Sequence, residues 1–139
     1  MLQAVIDRLL AATDLTIVLP AEDLESLESG TQPKNLTVFV LPFRDVAGPN
    51  EFMSGAHRQE IEAYIIVAFL VRHYDDAKGG KRASRFEATR DAIEGALAGW
   101  QWDADELAFE LVSGQASAFA KGSTIYAQTW RTTRTLENR

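Results

Sequence analysis

Residues 58–72, RQEIEAYIIVAFLVR, constrain the fold more than any other stretch. In an extended chain successive side chains alternate between faces, so Ile61, Ala63, Ile65, Val67, Phe69 and Val71 form one unbroken apolar face. The other face begins with Glu60, Glu62 and Tyr64 and turns apolar at Ile66, Ala68 and Leu70. Such a strand is central in its sheet, covered on both sides at one end and wet on one side at the other. Its apolar face needs a cover.

The sequence supplies one in SRFEATRDAIEGALAGWQW, residues 84–102. Ser84 and Glu87 have the S-x-x-E spacing of a capping box. Phe86, Thr89, Ile93, Ala96, Leu97 and Trp100 recur at helical spacing and make one apolar stripe. Arg85, Glu87, Arg90, Asp91 and Glu94 fall off it, and Gly99 suits a left-handed exit. The spacing predicts an amphipathic helix over 84–98. Trp100 and Trp102 point the same way if the chain after the helix is extended. They either close the core under the helix or form an aromatic pair for a partner subunit, a setting where tryptophan is enriched.

Leu2, Val5, Ile6, Leu9 and Leu10 predict an N-terminal helix over 2–12. Thr16–Leu19 is a short β-prone piece, and Pro20 opens AEDLESLE, a helical segment that Gly30 ends. Gln32–Asn35 reads as a turn, and LTVFVLP from Leu36 as a strand that Pro42 ends. Residues 43–57, FRDVAGPNEFMSGAH, have no clear period and read as a long flexible loop. Its Phe43, Arg44, Val46, Phe52 and Met53 are candidates for subunit contacts, or else pack locally. ELAFELVSG, with Leu107, Phe109 and Leu111 alternating, is a further strand, QASAFAKGS a hairpin-like connection, and STIYAQTWRTTRTL a closing strand. Tyr126, Gln128, Trp130, Thr132 and Arg134 share one of its faces, and Tyr126 and Trp130 join the interface candidates. The expected fold class is α+β in one domain over 1–139: a mostly antiparallel four-stranded sheet, an amphipathic helix packed on one face, and an N-terminal helical segment.

Composition narrows the function. The 139 residues include no cysteine, which excludes disulfides and thiolate metal sites. No apolar run approaches the length of a membrane-spanning helix, so no membrane partner is expected. The formal charge of −6 opposes a nucleic-acid grip over the whole surface. Residues 1–35 hold six acids and two bases, whereas 72–99 hold six bases and five acids, so basic patches sit on an acidic body. The catalytic inventory is thin. His73 with Asp75 and Asp76 is the nearest approach to a site, read more simply as a solvated loop, and Glu60 with Glu62 as a solvated strand face. Gly79–Gly80–Lys81 lacks the spacing of a phosphate-binding loop. No enzymatic activity, cofactor or metal is expected.

The order of these pieces resembles the phage tail terminator proteins, the minor tail proteins of lambda U type and their relatives in Mu-like phages and prophages. The N-terminal helix, LTVFVLP, a long loop, RQEIEAYIIVAFLVRH, a helix leaving through Gly99–Trp100, and two closing strands with Gly122 before the last carry the resemblance over nearly the whole chain. It implies a non-enzymatic virion protein, made in the bacterial cytoplasm and placed at the head-proximal end of the tail. There a homo-hexameric ring stops growth of the tail tube protein and meets the head–tail connector protein, and genomic DNA passes through the ring without tight binding. Four strands from each of six copies give a wall of roughly 24 strands, near 37 Å across before tilt, which the uncharged run Tyr126, Gln128, Trp130, Thr132 suits as a lining. Two alternatives stay open: a head-closure or neck connector protein of similar fold, and a small cytoplasmic ligand-binding or enzyme domain using His73, Asp75 and Asp76.

Overall fold

A computed structural model describes residues 1–22, 34–53, 55–72, 80–119 and 122–138, without the side chains of 80–83. Most of the expected helical segment at 21–30, together with His73, Asp75 and Asp76, lies outside the described residues. Among the described residues two helices, α1 (Leu2–Ala12) and α2 (Gly80–Leu97), accompany five strands: β1 (Val18–Pro20), β2 (Val38–Asn50), β3 (His57–Arg72), β4 (Glu110–Ala118) and β5 (Ser123–Asn138). The strand order is β1-β2-β3-β5-β4. All neighbours are antiparallel except β1, which pairs parallel with Val38–Val40. The α+β class holds, but the sheet is five-stranded and mixed. The extra strand is the β-prone piece at Thr16–Leu19, whose three paired residues are too few to announce a strand from pattern alone.

β3 is central along its whole length. Its 16 residues, about 50 Å of extended chain, pair continuously with β5 from His57↔Asn138 to Arg72↔Ser123. Its apolar face, from Ile61 to Val71, is buried, and α1 and α2 both pack on that side through Val5, Ile6, Leu9, Ile93, Ala96 and Leu97. Fully burying a side chain such as Ile93 or Leu97 contributes about 2 kcal/mol. Phe39, Leu41, Ala68, Leu70 and Ile125 form a second buried cluster on the opposite face, at the end where β3 reads as apolar on both sides.

Helix α2 begins at Gly80, a turn before the expected capping box, so Ser84 is an exposed interior residue and not the cap. Lys81, Arg82 and Ala83 are strong helix formers, and they carry the helix back past Ser84. The exit is as the spacing predicts. Gly99 has φ +78°, and Ala98 N–H donates to Glu94 O. Gly99 N–H then donates to Phe109 O while Phe109 N–H donates to Trp100 O, which ties the ends of the following loop together. From α1, Arg8 Nε donates to Ala96 O (2.9 Å) and its guanidinium sits 5.6 Å from the Trp100 ring centre. One side chain thereby satisfies an orphan carbonyl of α2 and joins the two helices.

The loop expected at 43–57 is largely strand. β2 runs on to Asn50, paired with β3 through Asn50↔Gln59, and only the turn at 51–56 lies between them. The period was hidden by two irregularities in register, between Pro42 and Arg44 and between Ala47 and Asn50. Each inserts residues and shifts the alternation of faces. β4 is displaced too. It starts at Glu110 and takes in the first four residues of the expected hairpin connection, ending at Ala118.

Candidate assembly surface

Past Pro42, β2, β3 and β5 continue as a three-stranded extension, and nearly every β2 residue on it is exposed. Its tip is built by Asn50, whose Oδ1 accepts from the N–H groups of Phe52 (3.2 Å) and Arg58 (3.0 Å). Glu51 N–H donates to Arg58 O (2.8 Å), and Gly55 turns the chain at φ +66°. Phe52 is 46% and Met53 104% exposed there. At the second irregularity Gln59 Nε2 donates to Gly48 O (2.8 Å), while Gln59 Oε1 shares a hydrogen bond with His57.

The other expected contact residues divide sharply. Phe43 and Val46 are exposed on β2, and Arg44 lies 4.9 Å from the centre of the Tyr64 ring. Trp100 and Trp102 are half-buried against the main core. Trp100 stacks on Phe109 at 5.8 Å, and Trp102 Nε1 donates to Thr133 O (3.0 Å). Tyr126 is packed by Phe69 (5.6 Å) and by Phe86, edge-on at 4.9 Å. Trp130 is fully buried and can present nothing to a partner.

The expected lining face of β5 is therefore a buried face beneath the helices. Gln128, also fully buried, accepts from Trp130 Nε1 (3.2 Å) through Oε1 and donates through Nε2 to Glu94 Oε2 (2.8 Å) on α2. Polar residues are tolerated there because they satisfy one another. The expectation that Tyr126, Gln128, Trp130 and Thr132 line a passage is overturned by this packing.

Pattern reading missed the far edge of the sheet. All nine residues of β4 are exposed, with Leu111 at 45% and Val112 at 49%. Leu107 and Leu111 had looked like one buried face with Phe109, yet only Phe109 is buried. The run SGQASA was the available signal, since small polar residues give little to bury.

On the face opposite the helices, Glu60, Glu62, Glu110, Arg131, Leu107, Ala108, Thr132 and Thr133 line a cavity of about 180 Å³. Arg131 pairs closely with Glu110, and that hydrogen bond raises the guanidinium pKa further. Glu62 accepts from Tyr64 Oη (2.9 Å). Glu106, buried nearby, accepts from the hydroxyls of Thr133 (2.7 Å) and Thr135 (2.8 Å). Among the described residues no three His, Asp or Glu side chains are grouped to hold a metal ion. The Arg131–Glu110 pair joins β5 to β4, and the Glu106 contacts tie the segment before β4 to β5.

Among curated proteins none matches the chain. In the solved structure of the virion of a native gene transfer agent particle, one chain has a similar fold, with 17% sequence identity and a TM-score of 0.56 over 99% of this chain and 95% of that one. At that identity the likeness is one of fold. The sequence pattern of the phage tail terminator proteins matches residues 1–139, and the chain belongs to the phage tail terminator family.

Proposed function

We propose that the protein is a structural component of the tail that assembles, as a single domain, into a homo-hexameric ring on the end of the tail tube. The ring ends polymerisation of the tube protein and offers its other side to the head–tail connector, so it sits at the head-proximal end of the tail in the virion. Family membership supports this reading, and so does a virion chain with the same fold. The observation that carries it is the exposed, apolar tip at Phe52 and Met53, which stands on a three-stranded extension. An exposed apolar tip on a rigid support fits a contact with another protein better than it fits solvent.

The test is tube length. Purified tube protein should polymerise to a limited length with the native chain present and without limit when it is absent. Phe52→Ser with Met53→Ser should keep the native thermal midpoint and lose this effect. Unlimited tubes in the presence of the native chain would refute the reading, and an unfolded double variant would show that the tip belongs to the core.

A further inference from the structure

We infer that copies of this chain join edge to edge, with β4 of one copy pairing antiparallel to the segment Phe43–Gly48 of β2 in the next. The inference rests on the ring reading above and names the surfaces that close it. No described strand covers the outer edge of β4, and the strand lacks the usual protection of an exposed edge. It carries no lysine and no proline, only Glu110 at its start, and all of it is exposed. Among the described residues nothing pairs with the outer edge of β2 once the parallel pairing with β1 ends at Val40 and Ala21 N–H has bonded Val40 O. Pro42 and Pro49 bracket the open run, so its donors lie between them.

Both edges expose apolar side chains to solvent. Each carries two exposed apolar side chains, Phe43 and Val46 on one, Leu111 and Val112 on the other. The polarity of the strands also fits. From β2 through β3 and β5 to β4 each step is antiparallel, so β4 runs opposite to β2. Rotation about a ring axis preserves strand direction, and β4 therefore meets the next β2 in the antiparallel sense.

Closure fixes the stagger. Gln115 is level with Phe39 of its own copy, through Gln115↔Ala127, Ala127↔Ala68 and Ala68↔Phe39. Pairing Gln115 with the next copy's Val46 shifts the register from Phe39 to Val46, seven positions less the bulged Phe43, or six. Six residues are about 20 Å along the strand and four strands about 19 Å across, a tilt near 45°. Pairing Ser113 with Val46 gives about 35°, and pairing Ser117 gives about 54°. Closed barrels take tilts of roughly 35–45°, so the first two registers close a ring and the third does not. Ser113, Gln115, Ser117 and Val46 all lie on the face opposite the helices, so each pair is sterically comparable. Six copies at these tilts make a barrel about 45–50 Å across at the backbone.

Because the chain has no cysteine, engineered thiols report on this arrangement alone. Three double variants would be oxidised and run on non-reducing gels beside light scattering: Val46→Cys combined with Ser113→Cys, with Gln115→Cys, or with Ser117→Cys. All four positions are exposed, so the variants should fold. The expected result is a covalent ladder ending at the closed ring for the Ser113 or Gln115 pair. No ladder is expected for the Ser117 pair, and nothing beyond a dimer for any single variant. A ring by light scattering with no ladder from any pair would overturn the edge pairing and leave the ring standing. Monomers throughout, without a ladder, would overturn both. A ladder from the Ser117 pair alone would overturn the stagger.

Discussion

Gln128→Leu tests whether the buried relay between sheet and helix holds the structure together. Gln128 accepts from the indole of Trp130 at 3.2 Å and donates to Glu94 at 2.8 Å, and both Gln128 and Trp130 are fully buried. Leucine is close in size but can do neither. The indole N–H would be left without a partner, a loss of about 1–3 kcal/mol. Glu94 loses a donor yet is about a third exposed and keeps Arg90 at 3.8 Å, so little is added on that side. A more apolar side chain returns up to about 1 kcal/mol. The net expectation is about 1–2 kcal/mol of lost stability, a fall of roughly 3–8 °C in the thermal midpoint for a chain of this size. Circular dichroism melts and urea titrations would measure it. Gln128→Glu is the sharper variant, because it buries a second carboxyl beside Glu94. Burial and that like charge would raise its pKa in the folded state above the unfolded value. Its destabilisation should therefore be large at about pH 7 and shrink as the pH falls toward about 5. If Gln128→Leu matches the native midpoint and Gln128→Glu shows no pH dependence, the relay does not hold helix to sheet.

Three further outcomes are expected. Ile93→Asp places an unpaired charge where α2 is fully buried, so it should cost about 4 kcal/mol or more and greatly reduce soluble protein; a well-folded variant would show that the helix does not cover the sheet. At Gly114 an added Cβ would fall on Tyr126 Oη, with Cζ 2.9 Å away, and Phe69 and Phe86 hold that ring in place. Gly114→Ala should cost about 1–2 kcal/mol, overpacking less the gain in strand propensity, with partial rescue by Tyr126→Phe, and an additive double variant would refute the clash. Duplex DNA should bind only weakly at about 150 mM salt, since Arg58, Arg90, Arg131 and Arg134 are each paired with a carboxylate of their own chain. Sub-micromolar affinity by fluorescence anisotropy would contradict this.

Hydrophobic period alone located the two described helices and the central strand. The stripe from Phe86 to Trp100 and the unbroken face from Ile61 to Val71 each point to a single partner surface, and the structure brings those two surfaces together. Gly99 was equally legible, since a left-handed residue is needed wherever a helix ends in this way. The expectation failed wherever regularity was broken or pairing was decided at a distance. Bulges erased the alternation of β2 beyond Pro42, so a strand read as a loop. The polar-aromatic face of β5 read as a lining or contact face because no one-dimensional pattern shows that Gln128, Trp130 and Glu94 satisfy one another across two elements. Phe109 and Leu111 look alike in sequence; one packs under Trp100 and the other lies on an open edge, because only strand order determines which residues have a neighbour. Which faces must be buried can be read along the chain, because burial follows side-chain spacing within one element. Which edges stay open cannot, because an edge exists only through the order in which distant strands pair.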